Sequence, residues 1–168
     1  LTGMHSMRAG VWSTLNGRYY LRPDIKIISN YFQDSGYRTG LFGKWHMGDN
    51  YPYHPQNRGF DESLTFGGGV IGETPDHWNN RYFDDVYLHN GQSAQYHGYC
   101  TDIWFQEAMD FTKCCGDQPF FCYLPTNAPH DPYFVDPEYF EPYLVMELPE
   151  RLSRFYGMIS CIDKNIGK

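Results

Sequence analysis

Residues 36–48, GYRTGLFGKWHMG, decide how the rest of the chain is read. Tyr37 to Phe42 is a short strand-like run, and Gly40 and Gly43 allow a close backbone approach at its end. Lys44 and His46 follow directly, two residues apart. The period of two along an extended chain puts both side chains on one face and Trp45 on the other. A fixed cation beside a titratable imidazole suits an anionic substrate that must exchange protons. Upstream, Asp24 to Ser35 (DIKIISNYFQDS) sets Ile25, Ile28 and Phe32 at helical spacing, with Gly36 as a C-terminal stop, and predicts a helix packed on a sheet. Helix, turn, strand and loop in that order is an α/β pattern, in which ligands sit beyond the carboxyl ends of strands.

The same pattern returns further along. Thr101 to Cys115 places Trp104, Ala108 and Phe111 at i, i+4 and i+7, with Thr101 as the cap and Gly116 as the stop. The run that follows, PFFCYL at 119–124, suits a strand buried on both faces. Its loop, TNAPHDPY, carries His130 between Pro129 and Pro132, two residues that restrict the backbone around an imidazole. Asn127 in that loop either caps the turn or contacts a substrate. From Glu150 to Ile166, Leu152, Phe155, Ile159, Ile162 and Ile166 form an apolar stripe expected to face the sheet. Asp163 and Asn165 there are read as solvent-facing or capping residues.

Residues 49–98 show turn signals and little sustained periodicity, and read as a long excursion over the active face. Within it, aromatic rings with Asp76, His77, Asn79, Asn80, Asp84 and Asp85 could line a sugar or aryl pocket, since rings stack on sugars while amides and carboxylates bond hydroxyls; loop packing and capping is the competing reading. Asp76 and His77 here, together with Asn127, are the substrate-binding candidates.

The chain has 168 residues, 41% of them hydrophobic and 18% aromatic, enough for a sizeable core and against disorder. Its net charge of −7 disfavours a nucleic-acid or anionic-membrane surface, though not a local cationic pocket. Five cysteines make no CxxC pair and no disulfide framework; Cys122 and Cys161 read as buried small hydrophobes. No apolar stretch reaches the length of a membrane span. The opening LTGMHSMRAG lacks the layout of a signal peptide, and the helical pattern running to Lys168 suggests a piece of a longer protein.

Residues 36–48 resemble the second signature of the type I sulfatases, GYxTxxxGKWHLG, with Met47 in place of Leu. Residues 119–132 resemble the family's PFFLYLxxNAPHxP segment, YGMISCIDKNIG its following helix, and Leu1-Thr2-Gly3 the tail of its first signature, CxPSRxxxLTGR, with Met4 where Arg is usual. The resemblance implies the alkaline phosphatase-like α/β sandwich, with a mostly parallel central sheet, helices on both faces and long active-face loops. Residues 1–168 would be the central part of its catalytic domain, incomplete at both ends.

It further implies hydrolysis of sulfate esters of an aryl or carbohydrate alcohol. A formylglycine, made from a Cys or Ser eight residues before Leu1, would attack sulfur. Calcium would be bound by ligands outside this chain, with no metal ligands within it. Lys44 would anchor the sulfate, His46 would orient or deprotonate the nucleophile, and His130 would bind sulfate and assist the leaving group. The isolated chain would be inactive, and a periplasmic or secreted location is expected by resemblance. A phosphonate or phosphodiester hydrolase of the same superfamily, or an inactive carbohydrate-binding relative, is the alternative, which the upstream nucleophile position would separate.

Overall fold

The computed structural model describes residues 1–14 and 19–168. Five strands, β1 (Arg38–Gly43), β2 (Glu62–Thr65), β3 (Val86–His89), β4 (Gln92–Gln95) and β5 (Phe120–Tyr123), form one sheet in the order β4-β3-β2-β1-β5. β1 runs parallel to both β2 and β5, β3 is antiparallel to β2, and β4 to β3, so four of the five strands point the same way. Four helices complete the fold: α1 (Ile28–Asp34), α2 (Cys100–Cys115), α3 (Pro137–Val145) and α4 (Glu150–Ile166).

The α/β expectation holds, because β1, an interior strand, is covered on both faces. Leu41 joins Ile27, Trp45, Phe60 and Leu21 in a core on the α1 side. Its neighbour Phe42 points the other way, into a larger core with Leu64, Phe66, Trp104 and Phe111 on the α2 side. Both residues are fully buried, as successive side chains of a central strand must be when each face carries a helix.

Several local expectations are corrected. α1 starts at Ile28, after Ile25, because the preceding turn is shaped by a side chain. The Arg58 guanidinium donates to the carbonyls of Pro23 (2.9 Å), Ile25 (2.8 Å) and Arg22 (3.2 Å), groups that a regular helix would use internally. Thr101 lies inside α2, fully buried, and Tyr99 holds the cap position; Trp104, Ala108 and Phe111 face the core as their spacing predicts. β5 is an edge strand among the described residues, with Phe120 44% exposed, instead of a strand buried on both faces.

Residues 49–98 are not solely an excursion: they supply β2 and the β3–β4 hairpin. β2 has no apolar run because Ser63 is held by polar contacts, its N–H donating to Asn90 Oδ1 (2.8 Å) and its hydroxyl accepting from Gln56 Nε2 (2.9 Å). The hairpin turns at Asn90-Gly91, both at positive φ (51° and 80°), the two-residue turn whose twist matches that of the strands.

On α4 the buried face is Ser153, Gly157, Met158, Cys161 and Asn165, packed against α3 and α2 instead of the sheet. Small residues on that face let α3 approach closely, so the predicted stripe turns outward and Leu152, Ile159 and Ile166 are exposed. Asn165 does not face solvent: its Nδ2 donates to Asp102 Oδ1 (2.8 Å) and to the Cys161 carbonyl (2.9 Å). All five thiols are free, Cys161 buried and Cys122 half-buried. No helix among the described residues is long and apolar enough to cross a membrane.

Candidate active site

The site is built where β1 and β5 end. The two strands pair in parallel up to Leu41 and Tyr123, and the ladder continues into their loops through a hydrogen bond from the Lys44 N–H to the Pro125 carbonyl (2.7 Å). Gly43 makes this possible. Its φ is +125°, and a Cβ there would lie 2.3 Å from the Pro125 oxygen, so a side chain would wedge the two loops apart. The loop bearing Lys44 and His46 and the loop bearing His130 therefore begin in backbone contact.

Trp45 turns into the α1-side core, 3% exposed, with its Nε1 donating to the Tyr53 carbonyl (2.9 Å). Lys44 and His46 are both half-buried. Burial alone lowers the pKa of Lys44, because a desolvated ammonium is disfavoured. Burial also lowers that of His46, helped by the Lys44 charge and, more weakly, by His130. Asp49 and a backbone hydrogen bond at Thr14 act in the opposite sense. His130 is exposed at the loop surface, and its backbone N–H donates to the Asn127 carbonyl (2.9 Å). Its Nδ1 lies 2.6 Å from the Asp131 carbonyl; a carbonyl only accepts, so Nδ1 carries a proton.

A cradle around His46 was not foreseen from the sequence. The Tyr19 ring lies 4.7 Å from the imidazole, and Gly69 lies against it so closely that a Cβ would come within 2.2 Å of Cε1. Asp49 ties these walls together: it accepts from the Tyr19 hydroxyl (2.9 Å) and from the Gly68 N–H (2.9 Å). Burial first, and Asp49 second, push the Tyr19 phenol up to about 12. The signal that could have revealed the cradle is the Gly67-Gly68-Gly69 run, since consecutive glycines in a folded loop mark a close backbone approach.

Asp76, His77 and Asn127 lie in the loops around these residues, two of them with side chains engaged in folding. Both oxygens of Asp76 are engaged in folding the glycine loop, accepting from Gly67 N–H (3.0 Å), Gly72 N–H (2.7 Å) and Asn80 Nδ2 (3.1 Å). His77 is exposed beside it, with Nδ1 3.0 Å from the Trp78 carbonyl. Asn127 points away from the surface: it is 4% exposed, and its Oδ1 accepts from Trp104 Nε1 (2.9 Å) and Cys100 Sγ (3.5 Å). The side chain fastens the His130 loop to α2, so direct substrate contact gives way to anchoring. Among the described residues, no three His, Cys, Asp or Glu side chains come together in a way that could hold a metal ion.

A sequence model of the family described as Sulfatase matches residues 1–168. The chain is 28% identical to the arylsulfatase of Klebsiella aerogenes, over 79% of this chain and 32% of that protein. It is also 28% identical to the N-acetylgalactosamine-6-sulfatase of Homo sapiens, over 87% of this chain and 29% of that one. Among solved structures, that of Ps i-CgsB in complex with k-i-k-neocarrahexaose superposes with a TM-score of 0.78 at 28% identity, covering 94% of this chain and 37% of the other. The chain thus spans a third or less of the length of these curated relatives.

Proposed function

Because the chain belongs to the sulfatase family, we propose that the full-length protein hydrolyses a sulfate ester where the β1 and β5 loops meet. The observation that carries this reading is the backbone bond between Lys44 and Pro125, which sets a desolvated lysine and two histidines at the carboxyl ends of adjoining parallel strands. Lys44 holds the sulfate by charge, with an effect strengthened by its partial burial. His46, whose pKa is lowered by burial and by Lys44, accepts the proton of the attacking hydroxyl. His130, its Nδ1 held to the Asp131 carbonyl, gives the departing alcohol its proton from Nε2.

Formylglycine and calcium complete the reading by family resemblance. The described residues do not form the calcium site; bound by carboxylates elsewhere in the full-length protein, the cation would offset the charge of the anionic oxygens. Sulfated carbohydrate is the favoured substrate class, supported by the names of the human relative and of the oligosaccharide in the Ps i-CgsB complex. The test is sulfate release by the full-length protein from an aryl sulfate and a panel of sulfated sugars. Lys44→Ala and His130→Ala should each lower turnover by at least about a hundredfold while folding is kept. Near-wild-type turnover by either variant would remove that residue from the mechanism.

A further inference from the structure

A second concave region lies beyond the loop that carries His130. One cavity of about 460 Å³ is walled by Arg81, Phe83, Phe134, Asp136, Phe140 and Arg154. An adjoining one of about 490 Å³ shares Phe134 and Arg154 with it and reaches back to Asp131, the residue next to His130. Both volumes are in the range of small-ligand sites. Neither contains any of the groups assigned above to the ester.

The walls are firmly held. Phe134 is 44% exposed, yet its carbonyl accepts from the Tyr99 hydroxyl (2.8 Å) and its ring stands edge-on to buried Tyr82, with centroids 5.5 Å apart. The Arg154 guanidinium lies 4.1 Å from the centre of the Phe140 ring and is steadied by Glu150, Nε to Oε1 2.9 Å. Arg81 is exposed and makes no ion pair among the described residues. An ordered ring face offers a platform for the C–H face of a sugar, while guanidinium and carboxylate groups around it bond hydroxyls. Glu150 offsets the charge of Arg154 (2.8 Å), which leaves Arg81 and Asp136 as the charged groups in the first cavity free to bond sugar hydroxyls.

We propose that this cavity is a subsite for a second unit of a sulfated oligosaccharide, whose neighbouring unit presents its ester to Lys44, His46 and His130. Phe134 is four residues from His130, at most about 14 Å along an extended chain, which is close enough for nearby units of one oligosaccharide. The proposal rests on the sulfate-ester reading and narrows it: the substrate is a chain of sugars, not an isolated aryl sulfate.

The experiment uses the full-length protein with Phe134→Ala and Arg81→Gln. Sulfate release is followed from sulfated galactan and glycosaminoglycan hexasaccharides, from the matching sulfated monosaccharides and from an aryl sulfate. Binding of the desulfated hexasaccharides is measured by calorimetry. Each variant should raise KM for the preferred hexasaccharide roughly tenfold with kcat retained, leave the small esters unchanged, and weaken desulfated-hexasaccharide binding by a similar factor. The proposal is overturned if no hexasaccharide binds the wild-type protein, or if the variants alter small and large substrates alike or neither. Phe134→Ala that loses thermal stability while Arg81→Gln binds normally also overturns it, since that face would then be covered by the rest of the protein. A wild-type protein that binds hexasaccharide through these residues but releases no sulfate supports the subsite and defeats the sulfate-ester reading instead.

Discussion

Gly69→Ala tests the His46 cradle with one methyl group. Gly69 has no positive φ, so alanine is conformationally acceptable and the effect comes from space alone. The added Cβ would sit 2.2 Å from Cε1 of His46 and 2.6 Å from both ring nitrogens. Restoring an ordinary contact of 3.4 Å moves the ring by about 1.2 Å. The Tyr19 ring stands close by, so the imidazole has no free path that keeps its present geometry. A misplacement of about 1 Å at a reacting group costs on the order of a hundredfold in rate, or about 2.7 kcal/mol in the barrier. The expected result in the full-length protein is a kcat/KM lowered by about two orders of magnitude on a sulfate ester. Thermal stability should change by only a few degrees, because the ring that yields is half-buried. The His46 imidazole resonances, assigned by NMR, should shift with the activity. A Gly69→Ala protein with unchanged turnover and unchanged His46 resonances would refute the cradle.

Two further outcomes follow from neighbouring residues. His46 has its pKa lowered mainly by burial and Lys44, while Asp49 opposes them. Asp49→Asn should therefore lower it further and move the acid limb of the kcat/KM profile to lower pH, and a limb that moves upward would contradict the assignment of His46 as the base. Arg58, 3% exposed, bonds three carbonyls that would be left without donors in Arg58→Met. Urea denaturation should register a loss of roughly 3–5 kcal/mol, and a loss below about 1 kcal/mol would show that water replaces the guanidinium.

The parts legible in the sequence were those in which side-chain type and spacing act locally. Trp104, Ala108 and Phe111 gave α2 because one helical face meets one core. Gly43, Lys44 and His46 gave the end of β1 because glycine followed by alternating polar residues marks a strand leaving a sheet. β2 was missed because its polar side chains are satisfied by Gln56 and Asn90, contacts that no local period encodes. The Asn90-Gly91 turn was readable and would have yielded β3 and β4. α4 was found as a helix but its buried face was misjudged, since small Ser153, Gly157 and Cys161 bury more completely against α3 than the larger Leu152 and Ile159. The Tyr19–Asp49–Gly68 tie around His46 joins three separated segments and could be seen only once folded.

The pairing of β1 with β5 also sets an order of events during synthesis. β1 meets β2 after a short interval, Gly40 opposite Glu62, but waits for β5 until Arg38 can face Phe120, 82 residues later. At about 5–20 residues per second, β5 leaves the ribosome roughly 4–16 s after β1. Through that time one edge of an apolar central strand is unpaired, the kind of edge that invites pairing between chains. The backbone contact that brings the lysine and histidine loops together thus waits for β5, and slower translation between β2 and β5 lengthens the period in which nascent chains can associate.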